Sequence, residues 1–287
     1  MGRLIDLKTE LTHRAALSAR IWRCLLSALL IMPGVAVAGA AEDVAWLNGL
    51  RASYFGDRPI VESDDVIELD APERAQFAAI VPVAVRAKFA QTPERYIKTI
   101  TLIIDMNPAP LAGRFHFMQI SGSADISTRV RINTYGPVRA IAETNDGTLY
   151  MSKRFVKGSG GCSAPAGADL EAAMARLGKI KLKTRGDARS GRPLLTRVMI
   201  SHPNLSGLQM DQLTRLYMPA HFVKEVDVSF DGEPVFRAET DISISENPNF
   251  QFYFVPERAG TLRVDVTDSK GMRFAQTLEV TPVVALY

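Results

Sequence analysis

The sequence predicts an all-β protein of two sandwich domains, and three observations carry that prediction. Apolar and polar residues alternate with period two over short stretches in both halves of the chain. Asp-Gly pairs at Asp146-Gly147 and Asp231-Gly232 supply the positive φ that tight hairpin turns need. Helical spacing is confined to two short stretches, residues 43–53 and 169–181. At 287 residues and 47% hydrophobic, the chain can give each sandwich a real core.

Taken in order, residues 43–53 place Val44, Trp46, Leu47 and Leu50 at helical spacing, with Trp46 laid on a core. Residues 77–89 are rich in Ala and Val, and residues 97–104 read as a buried strand with almost no polar interruption. Ile126, Thr128, Val130 and Ile132 face one way, and Ser127, Arg129, Arg131 and Asn133 the other, so one face of that strand is expected to be wet. Residues 137–143 and 148–156 form a hairpin around Asn145-Asp146-Gly147. Residues 164–192 read as a basic linker with a short helix, its positive run (Lys179, Lys181, Lys183, Arg185, Arg189, Arg192) set against a single Asp187. From Pro193 strands resume at 196–201, 226–230, 235–238, 250–255, 262–267 and 272–280, giving the second sandwich. No sequence repeat relates the halves.

The first forty residues are of another kind. A basic lead (Arg3, Lys8, Arg14, Arg20, Arg23) precedes an uncharged run, Cys24 to Ala41, that ends in small-x-small patterns, so residues 1–40 read as a cleaved signal peptide with cleavage after Ala38 or Ala40. A Pro33-Gly34 pair inside a run short for a bilayer argues against a retained anchor, and with it against stable membrane association. The expected location is the periplasm. The leader holds five of the 34 basic and two of the 31 acidic residues, so the mature chain has 29 of each and no net charge. A neutral chain without an aromatic and basic stripe is a poor nucleic-acid binder.

Loss of the leader also removes Cys24, leaving Cys162 as an odd thiol with no internal partner. It sits in Lys157-Gly158-Ser159-Gly160-Gly161-Cys162-Ser163, launched from the second strand of the hairpin. Gly158, Gly160 and Gly161 predict a flexible arm with an exposed sulfur, and Lys153, Arg154 and Lys157 are placed to lower the thiol pKa or to dock a partner. Fully extended, the five steps from Lys157 to Cys162 reach about 17 Å. Other chemistries fit poorly. His116, His202 and His221 lack the close spacing of a metal pair and read as structural, so neither a metal nor another cofactor is expected. Gly-Ser-Gly-Gly lacks the Gly-Lys-Ser/Thr ending of a phosphate loop, and a mobile thiol cannot serve a Cys-His hydrolase. A presented cysteine suits a covalent carrier and not an enzyme; the alternative is an adaptor that docks a dehydrogenase and whose cysteine is incidental.

Residues 133–148 (NTYGPVRAIAETNDGT) leading to Gly160-Gly161-Cys162 resemble SoxY, which gives residues 41–163 as a first domain. Ile200-Ser201-His202-Pro203, Ser206-Gly207-Leu208, Met218-Pro219-Ala220-His221-Phe222 and Ile244-Ser245-Glu246-Asn247-Pro248 resemble SoxZ, over residues 193–287. The resemblance to this sulfur-carrier family implies two immunoglobulin-like sandwiches, a covalent sulfur adduct on Cys162 and periplasmic enzymes as partners. Fused chains of this kind resemble carriers associated with quinoprotein dehydrogenases, which implies a PQQ-dependent enzyme nearby and no PQQ site here. One departure is plain: in SoxY the Gly-Gly-Cys ends the chain, whereas here more than a hundred residues follow. The arm is tethered at both ends and must enter a partner doubled back.

Overall fold

Alternation of buried and more exposed side chains runs through most of the strands, while those at residues 97–104 and 136–144 are buried almost throughout. The computed structural model describes residues 43–165, 170–186 and 192–281. The leader expected at 1–40 lies outside them, and no helix among the described residues is long and apolar enough to cross a membrane.

The first half runs through a π-helical turn (Trp46–Leu50), α1 (Arg51–Phe55), β1 (Ile60–Glu62), β2 (Ile67–Asp70), β3 (Val81–Ala87), β4 (Ile97–Ile104), β5 (Leu111–Phe117), β6 (Ile126–Val130), β7 (Gly136–Thr144) and β8 (Leu149–Val156). The second runs through α2 (Leu170–Ala175), β9 (Ile180–Arg185), β10 (Leu194–Ile200), β11 (Val223–Phe230), β12 (Glu233–Thr240), β13 (Asn249–Phe254), β14 (Gly260–Asp268) and β15 (Arg273–Val280). Both halves feed the same two layers. One sheet has nine strands in the order β1-β8-β7-β4-β5-β12-β11-β14-β15, and the other six, β2-β3-β6-β13-β10-β9.

The halves are therefore joined edge to edge. β12 pairs antiparallel with β5 from Phe236 opposite Phe117 to Thr240 opposite Gly113, and β13 touches β6 at Gln251 and Ser127. Pairing of this kind covers four edge strands, β5, β12, β6 and β13, that separate sandwiches would leave open. The seam is filled with rings: Phe236 stacks on Phe252 at 4.3 Å, while Phe115 meets Phe236 at 6.3 Å and Phe250 at 6.1 Å. The alternation at 250–255 is borne out, with Phe250, Phe252 and Phe254 all fully buried.

Trp46 covers the outer face of the large sheet. It packs with Ile103, Ile141, Leu149 and Met151, each one residue out of step with the side chains facing the main core. That second cover is why residues 97–104 carry so few polar side chains. The hairpin forms as its sequence predicts: Gly147 takes φ +85°, and Asp146 accepts hydrogen bonds from Thr144 Oγ1 (2.6 Å) and the Thr148 N–H (3.0 Å).

The expected linker is partly sheet. Residues 180–185 pair with β10 as an edge strand whose Lys181, Lys183 and Arg185 point to solvent, so these basic residues guard an edge instead of forming a loose segment. Positions 166–169 and 187–191 of that stretch lie outside the described residues.

Candidate functional site

Beyond β8 the chain does not leave the fold. Lys157 bonds the backbone of residues 73–75 on both sides, Glu73 O accepting its N–H at 2.8 Å and Lys157 O accepting from Ala75 at 2.9 Å. Gly160 N–H then donates to Asn133 O, and Gly161 N–H to Ile132 O, each at 2.9 Å. Ile132 N–H in turn donates to Ala78 O at 2.7 Å, so three backbones interlock at Gly161. A Cβ on Gly161 would lie 2.1 Å from Ala78 O and 2.6 Å from Ile132 O. Glycine is used there for close approach. Gly160, by contrast, has φ +74° and open space beside it.

The result overturns the expectation of an exposed, mobile sulfur: Cys162 is 0% exposed and its arm is seated. Burial pushes the thiol up to about 11, outweighing the pull of the Arg131 guanidinium towards the thiolate. The lysines and arginine expected to lower it are engaged elsewhere. Lys153 pairs with Glu62 (3.2 Å), Arg154 with Asp64 (3.1 Å) and Lys157 with Glu73 (2.6 Å), all at the solvent side. The closed site therefore stores a protonated, unreactive thiol.

The second half holds the arm shut. Ser206 Oγ donates to Cys162 O at 2.5 Å, and Arg131 bridges the halves by donating from Nη1 to Gly161 O (3.3 Å) and from Nη2 to Asn204 O (2.9 Å). Arg131 is 1% exposed, which corrects its expected place on a wet face; the arm and residues 204–206, both remote in sequence, cover it. Replacing Ser206 with alanine removes the hydrogen bond to Cys162 O, worth about 1 kcal/mol net, along with the one Ser206 Oγ accepts from the Leu208 N–H, so labelling of Cys162 by a small disulfide reagent should quicken about fivefold over the native chain. An unchanged rate would mean that Ser206 plays no part in closure.

The loop bearing Asn204 and Ser206 is anchored by a cluster that sequence spacing did not reveal. His202, His221 and Asp268 are all buried and bring their ligating atoms within 4.8 Å of one another. His221 Nε2 lies 2.7 Å from Asp268 Oδ2, and His202 Nε2 lies 3.6 Å from it. Asn204 N–H donates to His202 Nδ1 at 3.0 Å, so the neutral ring carries its proton on Nε2, where a metal would need a lone pair. His221 and Asp268 share one short buried hydrogen bond, and His202 Nε2 is buried beside them without a hydrogen-bond partner. His116 sits on the seam, its Nδ1 3.2 Å from Thr99 Oγ1 and its Nε2 3.6 Å from Glu239.

Comparison with known proteins bears on this arrangement. Residues 51–162 match the family model of sulfur oxidation protein SoxY, and residues 181–279 match that of sulphur oxidation protein SoxZ. The first match ends on Cys162 itself. Among solved structures, the sulfur carrier protein SoxY from Chlorobium limicola f thiosulfatophilum is 26% identical over 42% of this chain and 96% of its own, with a TM-score of 0.33. A superoxide reductase (neelaredoxin) from Ignicoccus hospitalis is 18% identical over 34% of this chain and 94% of its own, with a TM-score of 0.31. Fibronectin(III)-like modules of Clostridium thermocellum CbhA are 11% identical over 75% and 93%, with a TM-score of 0.23. No curated protein matches the chain.

Proposed function

The chain is a SoxY domain and a SoxZ domain in tandem, and from that premise we propose that it is a periplasmic carrier that holds a sulfur-containing group covalently on Cys162 and presents it to successive enzymes. SoxY and SoxZ are carriers rather than catalysts and work with partner enzymes of sulfur oxidation. The observation that carries the reading for this chain is the closure of the Cys162 arm by Ser206 and Asn204 of the SoxZ half. A carrier needs a thiol that is silent between partners and reactive at one. Burial supplies the first condition, and lifting the arm supplies the second by returning the sulfur to water, where its thiolate is far easier to form.

Because the chain continues past Cys162, the lifted arm is a loop held at both ends, and it suits a wide cleft better than a narrow tunnel. The basic and apolar leader at 1–40 and the odd cysteine support export to the periplasm. The likeness of fused chains to carriers associated with quinoprotein dehydrogenases supports a PQQ-dependent enzyme among the partners.

Intact mass of the chain purified without reductant from cells running the pathway should show an added group on Cys162 that reduction removes. A bare thiol under those conditions would defeat the carrier reading. Cys162→Ser should abolish the adduct and pathway function while leaving partner binding intact; an adaptor with an incidental cysteine would lose neither.

A further inference from the structure

Two arginines are buried in the first half, and the fold treats them differently. Arg139, fully buried, meets Asp105 at 2.8 Å and lies under the Trp46 ring, 4.7 Å from its centroid. Arg131 forms no ion pair with any carboxylate among the described residues. Its guanidinium donates only to two carbonyl oxygens, Gly161 O and Asn204 O, and its Nε–H is buried without an acceptor. The opposite charges that act on it are the thiolate form of Cys162 and, through space, Glu246, which is half-buried and forms no ion pair with it.

The position is also fixed. Arg131 N–H donates to Ser243 O at 2.8 Å, and Asn107 Nδ2 donates to Arg131 O at 2.7 Å. A rigidly held, unpaired cation beside the one free thiol of the described residues is expensive to bury unless an anion arrives there. We propose that Arg131 is the counterion of the loaded carrier, its guanidinium gripping the anionic end of a sulfonate-terminated group on Cys162 at the junction of the two halves. This rests on the carrier reading and adds the residue that selects the cargo. Displacement of Gly161 O from Nη1, the longer of the two bonds, by the group on the neighbouring Cys162 leaves Nη1 and Nε both ready to donate to its sulfonate oxygens. A neutral group on the same sulfur gains nothing from Arg131.

The test compares two reagents on the reduced full chain, with intact mass as readout. Tetrathionate loads an anion: the Cys162 thiolate attacks an inner sulfur, the central S–S bond breaks, thiosulfate leaves with the electron pair, and Cys162–S–S–SO3⁻ forms, the thiol proton having passed to solvent. Methyl methanethiosulfonate loads a neutral group by the same displacement, giving Cys162–S–S–CH3 and methanesulfinate. Arg131→Gln opens the arm to both reagents, so their rate ratio isolates the charge. That ratio, tetrathionate over methyl methanethiosulfonate, should fall about tenfold or more in Arg131→Gln and be largely restored in Arg131→Lys. In the unsubstituted chain the sulfonate-loaded form should melt above the methylthio-loaded form, a comparison that needs no variant to fold. An equal ratio in Arg131→Gln and the native chain, or a lower melting point for the sulfonate-loaded form, would overturn the role of Arg131 while leaving the carrier reading standing. Failure of both reagents to load Cys162 even in Arg131→Gln, where the arm is open, would overturn both.

Discussion

Replacing Gly161 with alanine should expose Cys162 and raise its reaction with a small disulfide reagent by about 100-fold or more at neutral pH. The added methyl would sit 2.1 Å from Ala78 O and 2.6 Å from Ile132 O, and neither is the end of a flexible side chain. Both oxygens belong to backbone already committed to the interlock, since Ala78 O accepts from Ile132 and Ile132 O accepts from Gly161. The arm must lift by a substantial distance or the strand segment must move. Once lifted, the thiol loses the burial that holds it near 11 and returns towards its ordinary 9.0, which alone multiplies the thiolate about 100-fold; removal of the steric cover adds to that. Gly160→Ala is the matching control. Its φ of +74° carries strain of about 1–2 kcal/mol for an L side chain, but nothing lies within 4 Å, so the arm still seats and the rate rises little. Equal labelling rates for Gly161→Ala and the native chain would remove the closed arm from the account.

This contrast also marks where the sequence stops speaking. A glycine run permits two opposite uses, freedom and close approach, and composition does not distinguish them; Gly161 and Gly158 serve the second, with Ile132 and Ala75 against Gly158. Strands and hairpins were legible because they depend on neighbours in sequence: the alternation at Phe250, Phe252 and Phe254, the unbroken run of β4 and the Asp146-Gly147 turn all appear as read. Alternation tells which way a side chain points, not what covers it. Arg131 points away from the main core, as period two requires, and is buried because the arm and the Asn204–Ser206 loop close over it. The edge-to-edge seam is invisible for the same reason, since pairing of β5 with β12 joins residues more than a hundred positions apart. Lys153, Arg154 and Lys157 looked available to the thiol because their partners Glu62, Asp64 and Glu73 come from a strand and loops far upstream.

Acid should loosen the same closure through His202, and the expected loss is about 3 kcal/mol of stability between pH 6.5 and 4. His202 is pushed down to about 4, first by burial and then by neighbouring His221, against the opposing pull of Asp268. The folded chain thus keeps the ring neutral while the unfolded chain takes up a proton near 6.5. The His202 contribution is complete above 6.5, declines by about 1.4 kcal/mol per pH unit below it, and is lost once pH has fallen through 4. Burial alone would raise Asp268, but hydrogen bonds from His221 and from the Met272 and Lys270 N–H groups outweigh it and hold the carboxyl below its usual range, so its contribution is lost at still lower pH and in the same direction. His116, lowered chiefly by burial at the seam, adds a smaller loss of the same sign. The coupling to Cys162 is short: His202 Nδ1 accepts from Asn204 N–H, Asn204 O holds Arg131, and Ser206 in the same loop holds Cys162 O. Melting temperature measured from pH 7 to 4.5 should therefore fall steeply in the native chain, and much less in His202→Asn, whose amide oxygen can accept from Asn204 without titrating. The thiol should become accessible over the same interval to 2,2′-dithiodipyridine, which reacts in acid. A native chain whose melting temperature stays level down to pH 4.5, or a His202→Asn curve that falls just as steeply, would show that the buried His202 does not govern the arm.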